Sequence, residues 1–469
     1  MLSFSRALSR TPLAIGIAMA CACALAPATT ITVNSSDDSA SSAPCNLRNA
    51  ITAINFGNAV LFPGCQASLS GPFGNNDTIV FAASLANSTI TLQQGQLSNY
   101  APLTITGSGQ TIDGAGKSRV LYTIAFLSVS NLTLTGGEAG AAPGGGLYAN
   151  QAFVALSNVN VTGSHATSGG GLAIANGSAN LSATRVSGNS SSGGRGGAGM
   201  LVSASNVTLA NSTVSDNAAA CVNACSGGVS AVNGSTLTIN SSTLARNSAT
   251  ASGSTVGGAV YATESKVFLI NSTIAANTAS GFDAVGAAAV ENQATAVATR
   301  GIVLTNSSVS ANIANSANAS AASITGGLLI GSNGIGRATL ANTIVAANSA
   351  TRAGNAVTTA DLVANAGAVT ANNSLLGGTL QPAYGGNANV FSDAPALAAL
   401  GNRGGPTETL ALLGGSPAID AGSNAVAVNA ASQPLTVDQT GRARIVNGTV
   451  DIGAFEFPGD LIFRDHFGN

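Results

Sequence analysis

The chain has 469 residues, and only 7% of them are charged against about 25% in an ordinary soluble protein. Its 16 basic and 18 acidic residues leave no basic field, which argues against a nucleic-acid partner and leaves solubility to hydroxyl and amide groups. Trp is absent and aromatics make up 4%, which weakens the case for a platform of stacked rings against sugars.

Residues 1–28 read as an export signal: Arg6 and Arg10, an apolar run from Leu13 to Leu25, then Ala26, Pro27 and Ala28, with cleavage expected after Ala28. The run is short for a membrane span, no later segment reaches the length a span requires, and no Leu stands at the usual place for lipid attachment before Cys21 or Cys23. An extracellular or cell-surface location follows as the expectation. Signal removal leaves Cys45, Cys65, Cys221 and Cys225, an even count that suggests the disulfides Cys45–Cys65 and Cys221–Cys225. The first closes a loop worth on the order of 3 kcal/mol by loop entropy. The only histidines, His165 and His466, are far from Cys221 in sequence, so the CxxxC carries no zinc reading, and no cofactor is expected.

Asn46 to Phe56 reads as a helix with Leu47, Ala50, Ile51 and Ile54 on one face, suited to cover the open end of a sheet. Short β-type runs follow at Thr78–Phe81, Thr89–Leu92, Leu103–Ile105 and Val120–Ile124. From there eight segments superpose without gaps. Eight residues before each segment end stand Val129, Leu156, Leu181, Leu209, Ile239, Leu269, Leu304 and Leu340; three before stand Leu134, Val161, Val186, Val214, Leu244, Ile274, Val309 and Val345. Six before stand Asn131, Asn158, Ala183, Asn211, Ser241, Asn271, Asn306 and Asn342, and the ends are Gly137, Ser164, Asn189, Asn217, Asn247, Asn277, Asn312 and Asn348. Segment ends are 27, 25, 28, 30, 30, 35 and 36 residues apart.

A fixed frame with variable spacers marks a solenoid. Alternating apolar residues give strands with one buried face, and glycine pairs such as Gly170–Gly171 and Gly227–Gly228 are expected to supply the backbone angles of a corner. Three strands and three bends per repeat describe one coil of a right-handed parallel β-helix, an all-β fold, with longer repeats adding loop. Inward Asn is expected to form ladders along the stack. An all-helical solenoid is excluded by the Gly, Thr, Val and Asn content. After Leu376 the repeat fails, and Asp393 to Glu456, richer in Pro and charge, is expected to close the other end.

Cys45 to Asn55 (CNLRNAITAIN) followed by DTIVF at Asp77–Phe81 resembles the CSLREA domain at the start of secreted bacterial repeat proteins, with Asn46 and Asn49 where the family name implies Ser and Glu. GGPTETLALLGGSPAIDAG from Gly404, DQTGRAR from Asp438 and DIGAFE from Asp451 resemble the choice-of-anchor Q domain. The repeats between resemble pectate-lyase-like β-helices and repeats of polymorphic outer-membrane proteins. Neither the CSLREA nor the choice-of-anchor Q resemblance implies a reaction. The reading that results is a signal at 1–28, an amino-terminal cap at 29–77, a β-helix at 78–380, a carboxyl-terminal cap at 381–458 and a tail at 459–469. The tail resembles short aromatic and acidic endings of exported bacterial proteins, and it reads as an extra strand or a sorting signal.

β-helix enzymes that cleave acidic polysaccharides need clustered or paired carboxylates. Between Gly136 and Leu380 the acids are Glu138, Asp216, Glu264, Asp283, Glu291 and Asp361, and no two share a repeat position in adjacent coils. Asp216 and Arg246 hold equivalent positions on successive coils and should form an outer-face ion pair worth about 0–1 kcal/mol. His165 reads as a loop residue. Asp420, Asp438, Arg442, Arg444, Asp451 and Glu456 form the densest charge group, read as buried pairing that fixes the cap, with a calcium site at Asp420, Asp438, Asp451 and Glu456 as the alternative. Together these point to an exported, monomeric, non-catalytic protein that binds polysaccharide or other surfaces. A polysaccharide lyase or glycoside hydrolase is the competing reading.

Overall fold

The computed structural model describes residues 28–459 except 40–43, 195, 254, 293–299, 322, 332–334, 358–360, 366 and 378–383. The expected signal and nearly all of the tail lie outside the described residues.

The repeat frame becomes a stack of parallel strands. One coil shows the plan: Thr236–Asn240 on face I, Thr243–Ala245 on face II, Ser248–Ala251 on face III, Thr255–Gly257 on face IV and Val260–Thr263 on face V. Each face continues along the rod, with 14, 12, 8, 4 and 10 strands respectively among the described residues. The aligned columns pile directly on one another: Leu209, Ile239, Leu269 and Leu304 are register partners on face I, and Val214, Leu244, Ile274 and Val309 on face II. Those inward side chains are at most 1% exposed and form one continuous core with the inward residues of face V.

The reading of three strands per coil is corrected to as many as five. Longer repeats do not merely add loop: face III is present even on a short repeat, as at His165–Ala166, and the longer repeats extend it and add face IV, the two pairing from coil to coil around a second core of Ala249, Ala251, Val256, Ala279, Val285 and Ile324. Cys221 and Cys225 are joined at the turn from face III to face IV, where this second layer begins.

The two asparagine columns serve different physical needs. Asn131, Asn158, Asn211, Asn271, Asn306 and Asn342, with Ala183 and Ser241, turn the corner between faces I and II at φ between 44° and 55°. Asparagine tolerates that left-handed conformation better than other residues with side chains. Bonds between successive coils link Asn158 to Asn131 and Asn342 to Asn306 in this column, but the continuous inward ladder belongs to the other one. Asn189, Asn217, Asn247, Asn277, Asn312 and Asn348 are buried, and each donates its Nδ2 to the next residue's Oδ1 at 2.8–3.0 Å, ending on Asp361. Each Nδ2 also caps a carbonyl of the preceding coil, as Asn247 does with Val214 O at 2.9 Å, so groups that a bend would leave unpaired in the interior are satisfied.

Glycine pairs at the entrance to face V have another cause than the one expected. None of Gly170, Gly171, Gly227 or Gly228 has φ in the left-handed region. A Cβ on Gly228 would instead lie 2.3 Å from the carbonyl oxygen of Ala259 on the next coil. Close backbone approach, not dihedral freedom, selects glycine there.

The amino-terminal end is closed as expected by a helix, α1 (Leu47–Phe56), capped by the Asn46 side chain accepting from Asn49 N at 2.9 Å. Asn55 lies along the exposed edge of the first face V strand, Leu97–Asn99, donating to Ser98 O and accepting from Tyr100 N, both at 2.8 Å. Arg48 pairs with Asp38 through Nε and Nη2 at 2.8 and 2.9 Å and also donates to the carbonyls of Gly95 and Gln96. Cys45–Cys65 ties the start of α1 to the short helix Pro63–Ala67.

The carboxyl-terminal segment does not sit simply on the far end. It folds back along the flank of the rod, over the corner between faces I and II. Gln439 Nε2 donates to Ser242 O at 3.2 Å, Asn271 Nδ2 to Val437 O at 2.7 Å, Ala454 N to Ser308 Oγ at 3.0 Å and Asn342 Nδ2 to Ser423 O at 2.9 Å. Outward hydroxyls and corner amides of successive coils are therefore buried beneath it, whereas Asn131, Asn158 and Asn211 on earlier coils remain exposed.

Candidate functional site

Asp216 and Arg246 meet on the outer face, Arg246 Nε lying 3.0 Å from Asp216 Oδ1. Two further residues join them: Arg185 Nη2 is 3.5 Å from Asp216 Oδ2, and Arg246 Nη2 is 2.8 Å from Glu408 Oε2 on the carboxyl-terminal segment. The arrangement is a chain of exposed charges across three coils that also anchors the returning segment. The other acids of the rod are occupied with different partners: Glu138 accepts from Gly140 N, Glu264 pairs with Arg300, Asp283 accepts from Asn318, Glu291 from Arg337 N and Asp361 from Asn348. His165 opens a two-residue face III strand rather than lying in a loop, and its Nδ1 is 2.9 Å from Ser190 Oγ on the next coil.

The densest charge group surrounds Arg444, which is 0% exposed. Its guanidinium lies 3.3 Å from Glu456 and donates to Asp451 O at 2.9 Å and Asn271 Oδ1 at 3.2 Å. Asp438, Asp451 and Glu456 are each 1% exposed. Their oxygens accept from backbone: Asp438 from Thr440, Arg442 and Glu456, Asp451 from Asp420 and Phe457, and Glu456 from Val446 and Asp451. Among the described residues no group of three or more His, Cys, Asp or Glu is placed to hold a metal ion, and Asp420 is exposed.

Three buried carboxylates against one guanidinium leave excess negative charge, and burial pushes the Glu456 carboxyl up to about 7 against the pull of Arg444. Asp451 is shifted upward for the same reason. A folded-state pKa above the unfolded value means that the native protein holds the proton more firmly. The stability this contributes is present below pH ~4.5 and is lost as pH rises through about 7. Urea unfolding is expected to show a loss on the order of 3 kcal/mol from this group between pH 4.5 and 8. Glu456→Gln should flatten that slope; an unchanged slope would place the proton elsewhere.

A different site emerges near the amino-terminal end, and it was not expected from composition. Tyr122 and Tyr148 are register partners on the outer side of face V, and Ser98 precedes them in the same column. Tyr100 lies just beyond that first strand. Its ring centroid is 6.4 Å from that of Tyr122, which is 5.6 Å from that of Tyr148. Arg119 is held over the last two rings, its Cζ 5.9 and 5.3 Å from their centroids, within cation–π range. Its Nε donates to Gly144 O at 2.8 Å, its Nη2 to Pro143 O at 2.9 Å and its Nη1 to Gln96 Oε1 at 2.5 Å, so the guanidinium is fixed in place. Burial lowers its pKa, and burial also raises that of the Tyr148 hydroxyl.

Tyr100 also borders a depression of about 330 Å³ between α1 and the strand edge, with Arg48, Thr52, Phe56 and Gln96. Phe56 and Tyr100 are 74% and 55% exposed there, a concentration of open rings in a chain with few aromatics. The arrangement offers ring faces, a fixed cation and side-chain amides on one surface, a combination that recognises a molecule with both apolar faces and hydroxyl groups. A sequence signal existed: Leu121–Tyr122 and Leu147–Tyr148 repeat an inward Leu followed by an outward Tyr at a coil's spacing. Overall aromatic content hid it.

Parallel strands stacked in register around an apolar interior define a right-handed parallel β-helix. Residues 103–295 match the family described as "Right handed beta helix region". No curated protein matches the chain.

Proposed function

We propose that this is an exported, non-catalytic protein of the cell surface or extracellular space that binds glycans through the Tyr100–Tyr122–Tyr148 strip and its fixed Arg119. The strip carries the reading: pyranose rings present apolar C–H faces to aromatic rings and hydroxyls to amides and guanidinium. Two disulfides suit an oxidising compartment. No helix among the described residues is long and apolar enough to cross a membrane. The acids of the rod are distributed singly among amide and cationic partners, which favours binding over cleavage.

Affinity electrophoresis against a panel of soluble polysaccharides tests this. The wild-type chain should be retarded by at least one polysaccharide without releasing sugars, and Tyr122→Ala with Tyr148→Ala should run free while keeping its melting temperature within a few degrees. Release of reducing ends or unsaturated products would favour the lyase or hydrolase reading. Retardation unaffected by the double substitution would move the site away from the strip.

A further inference from the structure

We infer that the amino-terminal cap is a membrane-docking surface: Phe56, Val60 and Leu61 enter the interfacial layer of a lipid bilayer and stand the rod on its end there. The three side chains are 74%, 70% and 75% exposed and lie within six residues, at the end of α1 and in the turn that follows. The turn itself is held by other groups. Ala59 between them is buried, Asn58 N donates to Ala53 O at 2.9 Å, Phe62 N donates to Ala59 O at 2.8 Å, and Cys45–Cys65 pins the short helix that comes next. The apolar tip is therefore presented on a fixed frame, the mark of a surface that meets a partner.

Charge decides what such a surface can enter. From Asn49 to Asn76 the chain has no charged residue and no histidine. The charges on either side are withdrawn: Asp38 is paired with Arg48, and Asp77, 2% exposed, accepts from Thr29 N and Gly74 N. A charge carried to the hydrocarbon boundary would oppose insertion, whereas the amides and backbone of this segment can stay at headgroup level. The path of the chain identifies the occupant. The Thr29 hydroxyl donates to the carbonyls of Ser70 and Gly71, so the polypeptide leaves the rod from this same cap. The apolar run Leu13–Leu25 ends four residues before Thr29, a reach of at most about 14 Å. While that run occupies a bilayer during export, the cap is held at the membrane surface, and lipid is the partner within reach of the exposed tip. The choice of lipid rests on the export part of the proposed function and not on its glycan part.

Flotation of the exported chain with phosphatidylcholine vesicles, at low and at high salt, provides the test. The chain should float equally well in both, and Leu61→Asp should weaken binding at least about tenfold while leaving the melting temperature and the retardation by polysaccharide unchanged. Val222→Asp, at a similarly exposed apolar position beside the Cys221–Cys225 turn, should have no effect. Because the chain has no Trp, Leu61→Trp supplies a single reporter. Its emission should move to shorter wavelength when vesicles are added and be quenched by lipid with brominated tails. A wild-type chain that does not float, or floats only with added phosphatidylglycerol at low salt, would overturn the docking. So would a wild-type dimer in sedimentation that Leu61→Asp converts to monomer without vesicles, since the patch would then belong to a second copy. The mass of the exported chain, expected to begin at Thr29, reads the export premise separately; an unprocessed chain found in the cytoplasm would overturn that premise whether or not it floats.

Discussion

Leu269→Asp is expected to destroy the cooperative fold. Leu269 is 1% exposed and stacks between Ile239 and Leu304, each 0% exposed, in the middle of the apolar column. The substitution removes about 2 kcal/mol of side-chain burial. It also places a carboxyl where no donor awaits it, and a fully buried acid of this kind shifts its pKa by about 3–5 units, which costs roughly 4 kcal/mol at neutral pH, where the acid is then forced to take up a proton. The total rivals the whole stability of an ordinary domain, about 5–15 kcal/mol. Because each strand pairs only with strands of the adjacent coils, the break interrupts the stack and should yield a split or absent urea transition with loss of the strand signal in circular dichroism. Thr238→Asp, on the outward side of the adjacent coil, should change stability by less than about 1 kcal/mol. A melting temperature for Leu269→Asp equal to that of the parent chain would refute the inward placement.

Arg444→Met is the second large effect. It strips the central cation from Asp438, Asp451 and Glu456, and breaking a buried ion pair from one side costs about 3–5 kcal/mol because charge is left behind without compensation. The loss should fall on the returning segment rather than on the rod. Limited proteolysis is expected to cut between 393 and 459 while the coils stay resistant, and the side-chain carboxamide of Asn271 should exchange faster because both Arg444 and Val437 O leave it, while its backbone amide stays bonded to Thr305 O. Acid should partly rescue the variant, since a protonated Glu456 removes one of the unbalanced charges. Proteolysis spread evenly along the chain would show instead that the segment and the coils unfold as one unit.

Periodicity made the rod legible: residues separated by one repeat became register partners along faces I and II, because inward side chains must match from coil to coil. The helix at Leu47–Phe56 was equally readable from its apolar face, although Asn46, read as its first residue, turned out to be its cap. What the pattern could not convey was the path of the longer spacers. Alanine-rich stretches such as Ser248–Ala251 have little hydrophobic contrast, so faces III and IV looked like loop although their small side chains let two sheets approach closely. Asparagine misled in another way, since one residue type serves left-handed corners at Asn271 and interior ladders at Asn277, and only the backbone tells the two apart. Asp216 and Arg246 were readable as a pair because they share a repeat position; Arg185 and Glu408 were not, one lying a coil earlier at a different position and the other arriving from a distant segment. The tyrosine strip was missed because a percentage says nothing about where the few rings are gathered.

The returning carboxyl-terminal segment gives the rod two unlike halves under load. Coils from Ser242 to Asn342 are laced together by a strap that crosses them from outside, through Gln439, Val437, Ala454 and Ser423. Earlier coils hold on only to their immediate neighbours. Pulled from its two termini, the protein should therefore shed its laced half only after the strap has torn free. A force trace from a single molecule would carry that rupture as one tall peak, set apart from the small even steps of coils peeling away.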